Sequence, residues 1–314
     1  GQLYFNSTAN AFKETMTVFG TGAWSSGGNL NQARSQGGNN ASGGSASIGL
    51  VSGGNKYSPG ASYNNTEIYD GTSWTEVNNL NTTRGYSAGS GTPSAALVIA
   101  GILAGQAYGM ANVETWDGTN WTETTDVNNQ RVQSWGAGTQ TAAFFCGGEG
   151  NPYANNKDKT ELWDGSSWTE VNDLNVGRTQ LSGGGSSTDA IMAGGYAGPS
   201  RTDDAETWDG TSWTEISDLN TTREGANGAA STSTAALIFG GRATPTYYAV
   251  TESWNGTSWT EVADLATGRY NGTSAGSSTS AWLAGGYPGS NPQPAITEEW
   301  AVPSGLQNQT ITAS

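Results

Sequence analysis

The chain of 314 residues is acidic: Lys and Arg number 12, Asp and Glu 27, and the formal net charge is −15. These values argue against nucleic acid as a partner, because phosphate binding needs clustered Lys and Arg, and they disfavour an anionic membrane surface. No run of 18 apolar residues occurs, so we expect no membrane insertion. Although 47 residues are Gly, 13 Trp and 12 Tyr provide the apolar bulk that a disordered chain lacks, which predicts one large folded domain.

Residues 1–23 precede the first repeat and form a predicted lead-in segment. In YFNSTANAF, turn residues separate two short runs that contain aromatic residues, and this pattern predicts a hairpin. The segment matches the later repeats only in part: Phe19 lies five residues before Trp24, where later copies have Tyr or Trp. We expect residues 1–23 and the extension 301–314 to connect the protein to its surroundings.

A repeat organises the rest of the chain, residues 24–300. In each of six copies a tryptophan is followed ten residues later by an arginine, and successive tryptophans are 50, 47, 47, 45 and 46 residues apart. A period of this length is typical of folds built from small strand units. The tryptophans are Trp24, Trp74, Trp121, Trp168, Trp213 and Trp259, and the arginines are Arg34, Arg84, Arg131, Arg178, Arg223 and Arg269.

Each copy predicts four short antiparallel strands. After Arg84 come a small-residue segment, an apolar run (AALVIAG), a loop, the strand VETW, and a hairpin that leads to Trp121. The apolar run is continuous in every copy, as expected of a strand buried on both faces. The third strand carries a glutamate two residues before an aromatic residue; these glutamates are Glu67, Glu114, Glu161, Glu206, Glu252 and Glu298.

Meanders of this kind bury both faces when they stack radially. Eleven of the 13 tryptophans occupy the two repeated aromatic positions, so we assign their first role to packing between neighbouring meanders. The last copy reaches Trp300 but has Gly305 where its final tryptophan is expected, whereas Trp24 precedes the first full unit. The simplest topology therefore completes the last meander with a strand from residues 22–30, which leaves only short protected edges.

The order of these motifs resembles the kelch repeat: an arginine, an apolar strand ending in Gly-Gly, Glu-x-aromatic-Asp, and a tryptophan about five residues later. The resemblance covers residues 24–300 and implies an all-β fold, a six-bladed kelch-type β-propeller whose last blade is closed by an N-terminal strand. One departure occurs in the second copy, where Ala100-Gly101 replaces Gly-Gly.

The loops between the second and third strands differ in every copy, whereas the hairpins expected on the opposite face, DGTSW and its variants, hardly change. Loops on a rigid frame commonly carry function, and tyrosine offers contact area at a low entropic cost. These variable loops hold eight of the 12 tyrosines. We predict that they form a ligand-binding surface, with Tyr57, Tyr63, Tyr108, Tyr153, Tyr196, Tyr247, Tyr248 and Tyr287 as its contact residues.

The six repeat arginines precede the first strand of each copy and are expected on the same face. In kelch propellers that bind peptides, arginines at this place line the pocket, so the resemblance implies an anion-binding mouth. The alternative is a structural network between these arginines and the six repeat glutamates. Trp135 occupies a position that is small or polar in the other copies, and it either stacks on a ligand or plugs the central channel.

The residues offer little for catalysis. With no histidine there is no histidine base and no copper site like that of the galactose-oxidase kelch enzymes, and the single cysteine, Cys146, lies in an apolar run where we expect it to be buried. Two carboxylates would suffice for a glycosidase, but the loop carboxylates Glu149, Asp158, Asp203 and Asp204 form no evident pair. We therefore predict no enzyme activity, no metal and no cofactor, with a secreted glycan-active enzyme as the remaining alternative.

The composition, rich in Asn, Thr, Gly and Ser, and the near-identical Trp-containing repeats resemble kelch-like repeat proteins of bacteriophages, especially marine ones. The segment GQLYFNSTANAFK is similar to short segments of phage tail-fibre and appendage proteins. The resemblance implies an extracellular protein of the virion surface that contacts other virion proteins and displays a recognition face for a host receptor, a cell-surface glycan. The alternative is a structural decoration or adaptor propeller that holds virion components together.

Overall fold

A computed structural model describes residues 2–6, 11–19, 21–36, 46–56, 60–150 and 157–311; for the strands within 2–19 and 304–311 it describes only the backbone. Within these ranges the protein consists of β-strands, turns and loops. The same ranges contain no helix that is long and apolar enough to cross a membrane. The predicted all-β class is therefore confirmed.

The two ends of the chain meet in one three-stranded sheet. Strands β1 (Gln2–Asn6) and β2 (Ala11–Phe19) form the hairpin that the lead-in sequence predicts. The last strand, β30 (Ser304–Ile311), pairs antiparallel along β2. This second pairing was not predicted, because neither segment has a sequence pattern that indicates pairing with the other.

Six antiparallel sheets form the blades of a β-propeller, one blade for each repeat, so the predicted fold is confirmed. In each of blades 2 to 6 four strands pair in the order first, second, third and fourth. The position of the first strand of blade 1 falls within residues 37–45, which lie outside the described residues.

The strands of the first three blades have the following bounds. Blade 1 contains β4 (Gly49–Ser52), β7 (Thr66–Tyr69) and β8 (Trp74–Val77), with a small hairpin of β5 (Asn55–Lys56) and β6 (Ala61–Ser62) between its second and third strands. Blade 2 contains β9 (Ala88–Thr92), β10 (Ala95–Ile99), β11 (Val113–Trp116) and β12 (Trp121–Thr124). Blade 3 contains β13 (Trp135–Gly138), β14 (Ala143–Cys146), β15 (Thr160–Trp163) and β16 (Trp168–Glu170).

The remaining blades repeat this arrangement. Blade 4 contains β17 (Ser182–Ser186), β18 (Asp189–Tyr196), β19 (Arg201–Trp208) and β20 (Trp213–Glu215). Blade 5 contains β21 (Asn227–Thr232), β22 (Ala235–Phe239), β25 (Thr251–Trp254) and β26 (Trp259–Glu261), with a small hairpin of β23 (Arg242–Ala243) and β24 (Thr246–Tyr247). Blade 6 contains β27 (Thr273–Ser277), β28 (Ser280–Ala284), β29 (Thr297–Ala301) and β3 (Ala23–Ser26).

Closure of the ring follows the predicted topology. The N-terminal strand β3 pairs with β29 so that Trp24 lies opposite Trp300. This register is the one that places Trp121 opposite Trp116 in blade 2. Because the outer strand of blade 6 comes from the other end of the chain, the propeller closes non-covalently and leaves no long free edge.

Tryptophans of the outer strands join neighbouring blades. The indole nitrogen of Trp74 donates to the hydroxyl of Thr297 in blade 6 at 2.9 Å, and that of Trp121 donates to the hydroxyl of Thr66 in blade 1 at 3.0 Å. Both rings are buried. Each such ring combines apolar burial worth several kcal/mol, at about 25 cal/mol per Å², with a satisfied polar group.

Apart from Trp135, the described innermost strands consist mainly of small residues, because they approach one another at the propeller axis. A Cβ atom on Gly228 would lie 2.3 Å from the carbonyl oxygen of Gly183, and one on Gly184 would lie 2.8 Å from the amide nitrogen of Ala230. The cavity left between these strands is about 10 Å³, roughly the space of one water molecule. Between the described first strands of blades 3 to 6, the axis is therefore packed at this depth.

Candidate binding site at the propeller axis

The loops that enter each blade and the loops between second and third strands lie side by side on one face, which we call the loop face. One isolated β-bridge joins the two loops in every blade. The six bridges are Ser35–Asn55, Gly85–Ile102, Val132–Glu149, Thr179–Tyr196, Glu224–Arg242 and Tyr270–Tyr287. The antiparallel topology predicts this shared face.

The repeat arginines are buried in ion pairs with the repeat glutamates. In blade 2, Nη2 of Arg84 donates to Oε1 of Glu114 at 2.8 Å, while Nη1 donates to the carbonyl oxygens of Ala100 and Asn112 at 3.0 and 2.7 Å. The second carboxylate oxygen of Glu114 accepts the amide N–H of Asn81, which belongs to the loop arriving from blade 1, at 2.7 Å. Each pair thus fastens an incoming loop to the strands of its blade.

All six arginines form such buried ion pairs, although Arg178 and Arg269 contact their glutamates through Nη1 rather than Nη2. The guanidinium and carboxylate groups of Arg34–Glu67, Arg84–Glu114, Arg131–Glu161, Arg178–Glu206, Arg223–Glu252 and Arg269–Glu298 are in contact, and no arginine of the six is more than 1% exposed. Burial lowers the pKa of Arg178 from its ordinary value, and the Glu206 carboxylate opposes that shift. Of the two alternatives for these arginines, an anion-binding mouth and a structural network with the glutamates, this geometry matches the network. The arginines do not line an open mouth, and a ligand on the loop face would not reach them.

A closed ring of backbone hydrogen bonds surrounds the axis just inside the arginines. The residue two positions after each arginine adopts the left-handed conformation, with φ between 53° and 59°. Each donates its amide N–H to the carbonyl oxygen of the equivalent residue in the preceding blade, at 2.7 to 3.1 Å. The members of this axial ring are Gln36, Tyr86, Gln133, Gln180, Gly225 and Asn271.

The axial ring opens into a small cavity, the axial pocket, of about 60 Å³. Beside the ring residues, its walls include Ser87, Ser134, Trp135, Leu181 and Asn227. None of the residues around this pocket carries a charge. The pocket is therefore neutral, polar on most sides, and bounded by apolar surface from the indole and Leu181.

Several buried polar atoms around the axial pocket have no hydrogen-bond partner among the described residues. They are Nε1 of Trp135, Nδ2 of Asn227, Oε1 of Gln180, and the hydroxyl oxygens of Ser87 and Ser134. Trp135 is 6% exposed and Asn227 is 1% exposed. Burial of such a group without a partner costs about 1–3 kcal/mol. Hydrogen bonds from a ligand or from ordered water to these five atoms would remove that cost.

The position of Trp135 bears on its two predicted roles. Its ring lies in the first strand of blade 3, packs in the core cluster with Cys146 and Leu181, and borders the narrow cavity at the axis, so it plugs the propeller. The same side chain also borders the axial pocket, and its buried indole N–H has no hydrogen-bond partner among the described residues.

Two of the predicted tyrosines belong to one aromatic cluster. Tyr247 and Tyr287 pack against each other and against Tyr270, with ring centroids 5.7 to 6.0 Å apart. Tyr63 lies with its ring 5.9 Å from the guanidinium of Arg34, which is an intrablade contact.

Three more of the predicted tyrosines lie within the described residues. Tyr108 is exposed, Tyr196 lines a groove of the loop face, and Tyr248 is half-buried next to Tyr247. Tyr57 and Tyr153 lie outside the described residues.

Three of the four loop carboxylates have local partners, whereas Oδ1 of Asp158 is buried without a hydrogen-bond partner among the described residues. Oε1 of Glu149 lies 3.9 Å from Nζ of Lys157, Asp203 accepts from the hydroxyl of Thr222 at 3.0 Å, and Asp204 accepts from that of Thr202 at 2.5 Å. Among the described residues no group of three or more His, Cys, Asp or Glu side chains could hold a metal ion. No protein-family model matches this chain, and no curated protein sequence matches it either.

Sequence reasoning missed the axial ring and its pocket. A signal was present, since four of the six positions two residues after the arginine are amides: Gln36, Gln133, Gln180 and Asn271. These amides lie at the axis only because their backbone is left-handed. Glutamine rarely adopts that conformation, so the sequence did not predict it.

Proposed function

We propose that this protein is a non-enzymatic recognition propeller whose loop face binds a glycan, with the axial pocket as the primary contact for one sugar. The observation that carries the proposal is the cluster of unpartnered polar atoms around the axial pocket, between a tryptophan ring and a ring of amide side chains. Sugars present several hydroxyl or amide groups beside apolar C–H surface, and this pocket offers both kinds of contact.

The size and polarity of the axial pocket favour an acetamido group. A cavity of about 60 Å³ has room for about four water-sized atoms, which is the number of heavy atoms in an acetamido group. The N–H groups of Trp135 and Asn227 suit its carbonyl oxygen, Oε1 of Gln180 suits its N–H, and Leu181 suits its methyl group. We therefore propose an N-acetylated sugar as the ligand class.

Calorimetric titration of the intact protein with methyl N-acetyl-β-glucosaminide and with methyl β-glucoside tests this function. The N-acetylated sugar is expected to bind at least about fivefold more tightly, since one buried hydrogen bond contributes about 1 kcal/mol. Trp135→Phe keeps an aromatic ring but removes the indole N–H, which has no hydrogen-bond partner in the described part of the chain. Loss of the preference in this variant, with an unchanged thermal midpoint, supports the proposal; equal binding of both sugars contradicts it.

We assign the propeller to the kelch type and place it at the surface of a virion, as a tail-fibre or appendage protein. The kelch assignment rests on the repeated arginine, Gly-Gly, Glu-x-aromatic and tryptophan positions, each of which has a defined role in the blades. The virion assignment rests on the likeness of the sequence to phage appendage proteins, with host-cell glycan as the receptor and other virion proteins as neighbours.

The second candidate is a structural adaptor that joins virion components. The three-stranded sheet of β1, β2 and β30 favours it, because both ends of the chain are tied together outside the blades and offer one attachment module. A structure of the assembled particle separates the two functions. A solvent-facing loop face supports receptor binding, whereas a loop face packed on another protein supports the adaptor.

A further inference from the structure

A cationic groove adjoins the axial pocket on the loop face. It has a volume of about 380 Å³ and shares Gln133 and Gln180 with the axial pocket. Its charged walls come from three consecutive blades: Lys157 from blade 3, Arg201 from blade 4 and Arg242 from blade 5. The repeat pattern does not predict this groove, because the three cationic residues occupy different positions in their repeats.

The concentration of positive charge here is unusual for this chain. Of the 12 Lys and Arg residues, six are the buried repeat arginines, and six remain: Lys13, Lys56, Lys157, Lys159, Arg201 and Arg242. Half of these six converge on the groove. Two carboxylates, Glu149 and Glu224, face them, so the groove carries a net charge of +1 on a protein with a net charge of −15.

One carboxylate holds both arginines, and one guanidinium nitrogen of the groove has no partner among the described residues. Oε1 of buried Glu224 accepts from Nη2 of Arg201 at 3.0 Å and from Nε of Arg242 at 2.8 Å. Nε of Arg201 is buried and has no hydrogen-bond partner among the described residues. Lys157 is only loosely paired with Glu149, at 3.9 Å, and lies 5.9 Å from the centre of the Tyr196 ring.

We propose that this groove binds the carboxylate of an acidic sugar within the same glycan whose N-acetylated sugar occupies the axial pocket. The inference rests on the proposed function and names its ligand more closely: an acidic sugar linked to an N-acetylated one. Guanidinium groups suit carboxylates because they donate parallel hydrogen bonds, and Tyr196 supplies a wall for a sugar ring. The shared residues Gln133 and Gln180 make the two subsites neighbours.

The test uses the methyl glycoside of a glucuronic acid–N-acetylglucosamine disaccharide and its carboxyl-reduced counterpart, with the intact protein. The acid is expected to bind about tenfold more tightly than the reduced form, the contribution typical of a hydrogen bond to a charged group. It is also expected to shift the Nε–Hε resonance of Arg201 in a nitrogen-resolved NMR spectrum. Equal affinities for the two disaccharides overturn the inference.

Matched variants assign the effect to the groove. The double substitution Arg201→Gln with Arg242→Gln removes the two guanidinium groups and is expected to abolish the preference for the acid. Lys159→Gln is the control, since Lys159 pairs with Asp173 and Glu170 outside the groove, and it is expected to keep the preference. If the double variant retains the tenfold preference, the carboxylate binds elsewhere and the proposal fails.

Two further outcomes keep the inference separate from the proposed function. If methyl N-acetyl-β-glucosaminide binds but an added acidic sugar does not increase the affinity, the groove proposal is wrong and the axial-pocket proposal is retained. A tetra-aspartate peptide that binds the groove as tightly as the acidic disaccharide points to a protein partner and overturns the glycan assignment. Absence of binding by every sugar overturns both.

Discussion

The amide nitrogen of Gly101 lies 3.2 Å from the carbonyl oxygen of Arg131, whereas the equivalent distance in the other five blades is 2.8 or 2.9 Å. The preceding residue explains the difference. Ala100 holds φ at 56°, a left-handed value at which the other blades have glycine. At the equivalent Gly240, an added Cβ atom would lie 2.5 Å from the next arginine's carbonyl oxygen. The longer distance at Gly101 is consistent with the space that the Ala100 methyl group occupies beside the carbonyl of Arg131.

Ala100→Gly is therefore expected to stabilise the protein by about 1 kcal/mol, because it removes the left-handed penalty of an alanine and lets the interblade hydrogen bond shorten. The measurement is the free energy of unfolding in urea. Gly240→Ala is the matched reverse change and is expected to destabilise by at least about 1 kcal/mol. A loss of stability in Ala100→Gly would contradict this explanation.

The buried arginine–glutamate pairs are expected to matter far more than surface pairs. Glu161→Gln leaves the guanidinium of Arg131 buried without its carboxylate, at a cost of about 3–5 kcal/mol. Glu170→Gln removes a carboxylate that is 45% exposed and pairs with Lys159, and it should cost less than about 1 kcal/mol. Urea unfolding of the two variants makes the comparison. Similar small losses in both would show that the ring of pairs is dispensable.

The hairpin turns opposite the loop face predict a local pH dependence. The amide groups of Ser167 and Ser166 donate to Oδ1 of Asp164 at 2.8 Å, and these bonds lower the pKa of Asp164 to about 2. Because the folded-state pKa lies below the ordinary value of 3.8, the contribution of the ionised turn is complete above about pH 4 and is lost as the pH falls through about 2.

NMR titration of the Asp164 carboxyl carbon tests this sign, with a midpoint near pH 2 expected. The hairpin of blade 5 provides an internal control, since Asn255 accepts the same two amide bonds through its uncharged side chain. Its amide resonances should not titrate in this range. A midpoint for Asp164 near 4 would mean that the turn is not formed in solution.

Cys146 is expected to be inert in the folded protein. The thiol is fully buried between blades, and burial raises its pKa to about 12, so almost no thiolate exists at neutral pH. An aromatic disulfide reagent at pH 8 should react with less than about one tenth of the protein within an hour, and with all of it in guanidinium chloride. Rapid stoichiometric reaction without denaturant would place the thiol at the surface.

The repeat makes most of the fold predictable from the sequence. Blades, buried second strands and ring closure depend on residues at fixed spacing, so the position of Trp24 and the missing tryptophan near Gly305 suffice to place β3 in blade 6. The pairing of β2 with β30 is different, because it joins two segments outside the repeat with no complementary pattern between them.

The site was less predictable because its groups converge only in three dimensions. The arginines after each tryptophan are the most regular polar residues of the sequence, and they are buried. The residues that line the axial pocket and the groove vary from blade to blade. Trp135 and Asn227 are different residues at the same repeat position of blades 3 and 5, and Arg201 and Arg242 have no shared repeat position. Regularity in a repeat protein therefore marks the scaffold, and departures from regularity mark the candidate binding surface.

The most direct test of the central claim is the indole Nε1–H resonance of Trp135 during titration with methyl N-acetyl-β-glucosaminide. This N–H has no partner among the described residues, so a hydrogen bond from the indole to the acetamido oxygen should move its proton resonance downfield. The indole resonances of Trp74 and Trp121, whose N–H groups bond to threonine hydroxyls, should not move. If the axial pocket binds the N-acetylated sugar, we expect a saturable shift confined to the Trp135 resonance. A sugar that binds without moving this resonance, or fails to bind, would contradict recognition through the axial pocket.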